Sequence, residues 1–364
     1  MKLQVTQENL AKALSVTARV ANTRNTLPIL ANVLLKTDKN RLSISATNLD
    51  IAISQTIGSK IEQDGAITVP ARLMQDFVSS LPDSVLNLEL SDNKLSITTD
   101  QYQSTINGVA ADDFPVMPAI GAQGGSWKLP AANFKKSLSQ VVFAASADDA
   151  RPVLTGVYFH SAGGEIIAAA TDSYRLAENK LAKSKAAVNF LVPASAAADL
   201  LRIIDDGEKE VSVSHDDQQV QFQVGDVTLV ARLIEGNYPD YRKLIPAKFA
   251  TVAKLKKTDF LNITKVSSLF ARESAGSITI KVDKAAKEVS INAVASQLGE
   301  NTAKASAVIS GSGEVTLNSR YLIDALNAFA AEDIEFCFNG KLEPIILRAA
   351  AEPAYLHLIM PLRS

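Results

Sequence analysis

The sequence predicts an α+β protein built from three tandem repeats, in each of which two helices cover one face of an antiparallel sheet. The chain has 364 residues, more than one hydrophobic core usually organises. Short motifs recur along it at nearly one spacing. Each recurrence also carries the same order of segments: strand, helix, strands, strand, helix, strands.

The repeat is visible in four pairs of short motifs. The second member follows the first by 124 residues in three pairs and by 123 residues in the fourth. Four pairs in the same order indicate duplication rather than chance, and the C-terminal third carries a fainter copy in which 317–319 corresponds to the motifs at 69–71 and 192–194. We therefore predict domains at 1–121, 122–246 and 247–364. The pairs are 26–30 with 151–154, 47–50 with 171–174, 113–115 with 237–239, and 69–71 with 192–194.

Hydrophobic periodicity predicts the individual elements. Six segments have helical spacing, namely 7–20, 72–81, 132–145, 195–204, 259–270 and 320–329. In the first repeat the strands are 2–5, 29–35, 41–46, 51–57, 86–90, 94–98 and 104–109. The apolar side chains predicted to face the core are Leu10, Leu14 and Ala18 in the first helix, and Leu73, Phe77, Val78 and Leu81 in the second.

Composition excludes several classes of protein. Apolar residues make up 47% of the chain and charged residues 21%, which is typical of a globular protein. The net charge of −2 excludes a uniformly basic nucleic-acid binder, although it allows a basic surface on one face. No apolar run approaches a membrane span and the N-terminus lacks a signal-peptide core, so we expect a cytoplasmic protein.

Cysteine and histidine are too scarce for metal or disulfide chemistry. The single cysteine, Cys337, has no intramolecular partner, and three histidines offer few zinc ligands. We predict no metal and no cofactor. Cys337 lies in an alternating strand, where a buried, unreactive thiol is expected. His357 belongs to the last strand and is expected at an edge or on the surface.

Each predicted helix has a cation on or beside the face opposite its apolar stripe. One interpretation is a solvated surface with scattered charge. The other is that equivalent faces arranged around a centre form a positive lining, while acidic loops make the exterior negative. The cations are Lys12, Arg19, Arg72, Lys135, Lys136, Arg202, Lys265 and Arg320.

No enzyme motif is present. The sequence has no Gly-x-Ser-x-Gly elbow, phosphate-binding loop, dinucleotide fingerprint or His-Glu-x-x-His motif. The polar segment 171–175 is the one candidate catalytic cleft, and it has no histidine base nearby in the sequence.

Six motifs spread over the whole chain resemble the bacterial sliding clamp family, the beta subunits of DNA polymerase III. They are TLPIL at 26–30, TVPAR at 68–72, ADDFP at 111–115, ATDSYRL at 170–176, NYPDYR at 237–242 and MPLR at 360–363. The resemblance implies a non-catalytic processivity factor. Two subunits would close head to tail into a ring of six DNA-clamp domains around double-stranded DNA, bound without regard to its sequence.

The resemblance also implies three sets of site residues. The DNA contacts would be Arg24, Arg72, Asp148, Arg151, Pro152 and Val153. A groove for partner peptides would comprise Thr171, Ser173, Tyr174, Arg175, Leu176, Pro239, Leu244, Asn318, Tyr321, Leu358, Met360, Pro361, Leu362 and Arg363. The homodimer interface would include Ser104, Ile106, Leu269 and Phe270.

The expected partners are DNA, a second copy of the chain, the alpha subunit of the replicative polymerase, the clamp loader and other proteins with a clamp-binding motif, with no membrane. Blander interpretations remain: Arg24 and Arg151 brace their strands, and Leu176, Leu244 and Leu358 are ordinary core. A repeat-built adaptor that binds peptides without encircling DNA is the alternative function. Deletion of 358–364 is expected to abolish peptide binding and to spare the dimer.

Overall fold

The computed structural model describes residues 1–21, 27–121, 125–184, 186–295 and 299–363. Their contacts divide the chain into two compact units. The first comprises Met1–Ala132 and Ser195–Leu233, and the second comprises Asn133–Ala194 and Ile234–Ser364. Each unit is built from segments that are distant in the sequence.

The six predicted helices are all present in the described chain, with ends that differ by a few residues. They are α1 (Gln7–Thr17), α2 (Ala71–Ser80), α3 (Ala131–Ser139), α4 (Ala194–Ile203), α5 (Lys257–Phe270) and α6 (Ser319–Ala328). The predicted helix at 132–145 is too long, because α3 ends at Ser139 and a 3-10 turn follows at Val142–Ala144.

The strands are short and regular. They are β1 (Lys2–Thr6), β2 (Asn32–Asp38), β3 (Arg41–Thr47), β4 (Ile51–Gly58), β5 (Lys60–Gln63), β6 (Ala66–Pro70), β7 (Val85–Ser91), β8 (Lys94–Thr98), β9 (Gln103–Asn107), β10 (Gly125–Pro130), β11 (Gly156–Ala162), β12 (Glu165–Thr171), β13 (Arg175–Lys183), β14 (Asn189–Pro193), β15 (Glu210–His215), β16 (Gln219–Val224), β17 (Val227–Arg232), β18 (Thr251–Lys256), β19 (Ser277–Asp283), β20 (Glu288–Ala295), β21 (Gly299–Ser306), β22 (Val308–Ser310), β23 (Gly313–Asn318), β24 (Asp333–Phe338), β25 (Ile345–Arg348) and β26 (Tyr355–Ile359). The strand predicted at 29–35 begins instead as a 3-10 turn, Pro28–Ala31, because the fixed backbone angle of Pro28 suits the first position of such a turn.

Two sheets form each unit. The first unit has a five-stranded sheet in the order β5-β1-β7-β8-β9 and an eight-stranded sheet in the order β10-β15-β16-β17-β4-β3-β2-β6. The second unit has a nine-stranded sheet in the order β14-β11-β12-β13-β26-β25-β24-β18-β22 and a four-stranded sheet in the order β21-β20-β19-β23.

Both large sheets combine strands from two successive sequence repeats. In the eight-stranded sheet β4 pairs with β17, and Ala52 lies opposite Val230. In the nine-stranded sheet β13 pairs with β26, and Leu176 lies opposite Leu358. Backbone hydrogen bonds therefore cross the repeat boundaries, which is why the contacts form two units rather than three.

The helices bury one stripe each, and the predicted core residues are only partly confirmed. The predicted Leu10 and Leu14 of α1 are buried, while Ala18, which follows the helix, and Phe77 of α2 are half-buried. In α2 the buried residues are Ala71, Met74 and Val78, whereas Leu73 is 54% exposed. Ala71, Met74 and Val78 are three and four residues apart and therefore lie on one face of the helix, and Leu73 lies on the opposite face.

The buried thiol is confirmed and the surface histidine is wrong. Cys337 is fully buried in β24, and burial raises the pKa of its thiol to about 11. His357 is also fully buried, with its ring stacked on Phe143 at 5.5 Å between centroids. The last strand of the chain inserts between β13 and β25 instead of lying at an edge, so His357 is enclosed.

No helix in the described part of the chain is long and apolar enough to cross a membrane. The same residues bring together no group of three or more histidine, cysteine, aspartate or glutamate side chains that could hold a metal ion.

Candidate functional site

The loop between β12 and β13 is fixed by its own side chains. The Thr171 hydroxyl donates to the carbonyl of Arg175 at 2.6 Å and accepts the backbone N–H of Ser173 at 3.1 Å. Asp172 Oδ1 accepts the backbone N–H groups of Tyr174 and Arg175, each at 2.9 Å. These bonds hold Ser173 at a φ of 78° and leave the Tyr174 side chain 59% exposed.

The Arg175 guanidinium braces this loop against two other segments. It donates to Asp172 Oδ2 at 3.0 Å, to Asp324 Oδ2 at 2.7 Å and to the Phe143 carbonyl at 2.9 Å. It also lies 4.8 Å from the ring centroid of Tyr321 and 5.3 Å from that of Phe143. Only 12% of the side chain is exposed, so Arg175 shapes the site and is not free to contact a ligand with its charge.

The C-terminal tail passes over the same loop. The backbone N–H of Met360 donates to the Tyr174 carbonyl at 2.8 Å, and that of Leu362 donates to the Thr316 carbonyl at 2.8 Å. Met360, Pro361 and Leu362 are half-buried, and Arg363 is exposed. The structure thus brings the predicted tail residues to the predicted loop.

The three groove leucines with an alternative interpretation as core, Leu176, Leu244 and Leu358, have different environments. Leu176 and Leu358 are each 1% exposed and belong to one buried cluster with Tyr241 and Cys337. The interpretation as ordinary core is therefore correct for these two, whose role in a groove is limited to supporting its floor. Leu244, by contrast, is 47% exposed.

The burial of Leu358 also bears on the deletion of 358–364. That deletion would remove Leu358 and Ile359, which is fully buried, from the middle of the nine-stranded sheet. The structure therefore does not support the expectation that the deletion spares assembly. A truncation after Met360 would keep the core strand.

A buried polar chain fixes the 3-10 turn at Tyr241–Leu244. The Tyr241 hydroxyl donates to Glu178 Oε2 at 2.5 Å and accepts a hydrogen bond from His160 Nε2 at 2.7 Å. Burial and the Glu178 carboxylate raise the pKa of Tyr241, so its hydroxyl stays protonated and keeps donating. Tyr241 belongs to the buried cluster that contains Leu176, so this chain of hydrogen bonds anchors the turn that carries exposed Leu244.

Asn318 caps a helix beside the tail. Its Oδ1 accepts the backbone N–H of Arg320 at 2.9 Å at the start of α6, and its Nδ2 donates to the Ala275 carbonyl at 3.1 Å. Tyr321, in the first turn of α6, is half-buried, and burial raises the pKa of its hydroxyl. The site therefore has an apolar and aromatic surface supported by satisfied polar groups.

The predicted DNA-contact residues are only partly brought together. Arg24 lies outside the described residues. Arg72 projects from α2 with 91% of its side chain exposed, 3.9 Å from Asp76. Arg151 donates to the Ser173 hydroxyl at 2.8 Å, so it contacts the 171–175 loop and does more than brace its own strand.

The remaining residues of the 148–153 segment form a compact turn. Asp148 Oδ1 accepts the backbone N–H of Ala150 at 3.0 Å. Pro152 and Val153 begin the 3-10 turn Pro152–Leu154. Pro152 is exposed and Val153 half-buried, so this segment presents a mixed polar and apolar surface.

The helix cations lie at the surface, as the amphipathic pattern predicts. Lys135 is half-buried and the other seven are exposed. Some are paired with carboxylates: Lys12 lies 2.7 Å from Asp205, and Arg202 lies 3.0 Å from Asp199. Pairs with an exposed cation are weak, and the cation of each pair stays accessible to water and to a ligand.

The predicted interface residues occupy a sheet edge and a helix end. Ser104 and Ile106 lie on β9, which pairs only with β8 among the described strands and ends its sheet. Ile106 is 5% exposed and packs inside the unit, so the open backbone edge is the part of β9 available to a partner. Leu269 and Phe270 end α5, and Leu269 is 52% exposed.

Sequence reasoning missed the groups that support these surfaces. Asp324, Phe143 and Glu178 stand in no motif, and their contacts span 149, 32 and 63 residues of chain. The one available signal was Asp324, a charged residue inside the predicted helix 320–329, since a carboxylate that is partly buried requires a partner.

Comparison with known proteins extends over the whole chain. The N-terminal, central and C-terminal domain models of the DNA polymerase III beta subunit match residues 1–118, 128–240 and 242–363. A beta sliding clamp of Synechocystis is 32% identical over 389 residues, covering 100% of this chain and 99% of the relative. One from Staphylococcus epidermidis is 27% identical over 377 residues, covering 100% of both chains.

Solved structures agree with this likeness. The DNA polymerase sliding clamp of Bacillus subtilis superposes with a TM-score of 0.94 at 27% identity, covering 100% of this chain and 99% of that one. A sliding clamp of Bartonella birtlesii, determined bound to griselimycin, gives 0.93 at 26% identity with 100% of both chains covered.

These likenesses and the α+β repeats define the class: a non-catalytic processivity subunit of a DNA polymerase, made of three domains with helices on antiparallel sheets. The chain belongs to the DNA polymerase III beta subunit family, the bacterial beta sliding clamps. Family membership excludes the catalytic cleft at 171–175. The boundaries at 121 and 246 stay predictions.

Proposed function

We propose that two copies of this chain close head to tail around double-stranded DNA and hold it by enclosure. One observation carries the proposal: exposed cations occur on all six helices of a chain whose net charge is −2. Adhesion alone needs a strongly basic protein. A ring needs only weak, distributed contacts, because the closed chain pair cannot leave a duplex without opening.

The cations would contact phosphates and not bases. Phosphate contacts carry no sequence information, and their strength falls steeply with salt concentration. Arg72 is the best described candidate because its side chain is 91% exposed. Arg24, Arg151 and the 148–153 turn complete the proposed set.

The head-to-tail seam would join a first-domain sheet edge to a third-domain sheet edge. β9 ends the five-stranded sheet and β21 ends the four-stranded sheet, and each has one paired side among the described strands. Two open edges can pair through backbone hydrogen bonds. Leu269, on the helix packed against β21, would add an apolar contact.

The partner groove would lie on the 171–175 loop, the 360–363 tail and the Tyr241–Leu244 turn. Exposed Tyr174, Leu244 and Pro239 offer apolar contacts, and half-buried Met360 can adapt its shape. Short linear motifs of the polymerase alpha subunit, the clamp loader and other clamp-binding proteins are the proposed occupants. The protein would act in the cytoplasm.

Enclosure is tested with nicked circular plasmid and a clamp loader with ATP. Protein loaded on the circle is expected to remain through gel filtration and to be lost once a restriction enzyme linearises the DNA. Leu269→Asp, at a side chain that is 52% exposed, serves as the control that folds but fails to close. Retention on linear DNA would show adhesion, and no retention on either form would also contradict the proposal.

A further inference from the structure

We propose that the chain carries a second peptide site, in its first unit, which takes an extended segment bearing one apolar side chain followed by one carboxylate. This site is distinct from the proposed groove, and it rests on the proposed function only for the class of its occupant. Its frame is the 47–51 loop, 124 residues before the 171–175 loop.

The two loops make the same hydrogen bonds. The Thr47 hydroxyl donates to the Ile51 carbonyl at 3.0 Å and accepts the backbone N–H of Leu49 at 3.0 Å. Asn48 Oδ1 accepts the backbone N–H groups of Asp50 and Ile51 at 3.0 and 2.8 Å. Leu49 has a φ of 77°, against 78° for Ser173. The duplication has therefore preserved the loop geometry itself.

The neighbouring strand also matches. β17 pairs with β4 as β26 pairs with β13, and Val230 lies opposite Ala52 where Leu358 lies opposite Leu176. The backbone N–H of Arg232 donates to the Asp50 carbonyl at 2.8 Å, the counterpart of the bond from Met360. The end of β17 thus plays the part that the C-terminal tail plays in the groove.

The second frame encloses an open recess. A cavity of about 250 Å³ is lined by Thr47, Leu49, Asp50, Pro115, Val116 and Arg232, among others. Leu49 is 50% exposed and Val116 is 93% exposed. The buried Ala52 and Val230 are smaller than Leu176 and Leu358 at the matching positions, which leaves more room above them. An exposed apolar rim over such a recess suits one apolar side chain.

The charged side chains at the rim of the recess determine which charged group the bound segment carries. Arg232 stands where the groove has Met360, and its guanidinium makes no hydrogen bond or ion pair with any residue in the described ranges. A free guanidinium recognises a carboxylate through two parallel hydrogen bonds. Asp50 lines the same recess and repels further negative charge, so the occupant carries one carboxylate.

The test uses two labelled probes, acetyl-Gly-Gly-Leu-Glu-amide and its Gln counterpart, titrated with the full chain by fluorescence anisotropy. The Glu probe is expected to bind at least about tenfold more tightly, as one charge-assisted contact implies. Arg232→Gln should remove that preference, and Val116→Asp, at a residue exposed in the folded chain, should weaken both probes. Leu244→Asp, in the proposed groove, should change neither.

Equal binding of the two probes, no binding at millimolar protein, or a loss caused by Leu244→Asp instead of Arg232→Gln would each overturn the second site. The enclosure experiment is independent of these outcomes. If the plasmid result fails while the Arg232-dependent preference holds, the proposed function is wrong and the second site stands.

Discussion

Arg175 and Asp324 lie on a sheet loop and on helix α6, 149 residues apart in the sequence, and their side chains meet at 2.7 Å. The arginine is placed by two aromatic rings as well as by its hydrogen bonds. The shape of the proposed groove thus depends on an ion pair in which the Arg175 side chain is 12% exposed and the Asp324 side chain is 36% exposed.

Replacing Arg175 with alanine should lower the free energy of unfolding by about 2 kcal/mol, because charged hydrogen bonds are lost and Asp172 is left without its partner. Urea unfolding followed by circular dichroism measures the change. Arg202→Ala is the matched control, since its pair with Asp199 leaves Arg202 56% exposed, and should cost less than about 0.5 kcal/mol. Equal effects of the two substitutions would contradict the bracing role.

Glu352→Ala should destabilise the second unit by about 3 kcal/mol, as expected when one partner of a buried polar network is removed. The carboxylate accepts hydrogen bonds from Gln140 at 2.7 Å and from the backbone of Ala331 at 2.6 Å, and Lys136 lies at 3.1 Å. Thermal unfolding at pH 7 measures the loss. Glu343→Ala, at an exposed carboxylate, should be nearly neutral.

The destabilisation caused by Glu352→Ala should depend on pH, because the Glu352 carboxylate can be protonated. Burial alone would raise the pKa of Glu352, but its hydrogen-bond donors outweigh burial and lower it. A lowered carboxyl pKa gives stability that is present above the unfolded value and is lost as the pH falls through the folded value. The difference in the free energy of unfolding between the wild type and Glu352→Ala should therefore decrease below about pH 4.5. A gap that stays constant to pH 3 would show that packing, and not charge, causes it.

His357 should make the protein less stable in mild acid. Burial lowers the pKa of His357 from 6.5 to about 3. Between these two pH values the unfolded chain therefore binds a proton at this residue and the folded chain does not. Stability is then lost as the pH falls below 6.5, by about 2 kcal/mol at pH 5. His357→Phe keeps the ring against Phe143 and should flatten the dependence of the unfolding free energy between pH 6.5 and 5. An unchanged slope would place the acid sensitivity elsewhere.

Replacing Arg24 and Arg72 together with alanine should weaken loading on DNA without changing the dimer mass. Each lost phosphate contact reduces the slope of log affinity against log salt by about 0.9, so the double variant should lose about 1.8. Filter binding at several salt concentrations measures the slope. Lys60→Ala, at an exposed cation of β5, should leave it unchanged. An unaltered slope in the double variant would remove both arginines from the DNA contacts.

Cys337 should resist thiol reagents in the folded chain. Burial raises its pKa to about 11, so only about 0.1% is thiolate at pH 8. Reaction with Ellman's reagent should be slow until urea unfolds the protein. Val116→Cys, at a position 93% exposed, supplies the reactive comparison. Rapid labelling of the wild type would contradict the burial of β24.

The repeat, the six helices and the loop pair at 47–51 and 171–175 could be predicted from the sequence because each is a local pattern. Leu73 was misplaced because α2 has two apolar stripes, one with Ala71, Met74 and Val78 and one with Leu73 and Phe77, and periodicity alone does not show which stripe faces the core. His357 was misplaced because local alternation does not reveal that the last strand inserts into a sheet. The partners of Arg175 depend on contacts over long chain separations, which no periodicity records.

β4 pairs with β17 and β13 pairs with β26, so strands of successive repeats lie in the same sheet. The segment that is repeated in the sequence therefore differs from the segment that folds as one body. A fragment that ends at a repeat boundary would carry only part of a large sheet. Its unpaired edge strand could then form backbone hydrogen bonds with strands of other molecules. The sequence module that is repeated is therefore not an independent folding unit in this chain. Modular engineering of this chain must therefore keep the three repeats together, because the middle repeat shares one sheet with each of its neighbours.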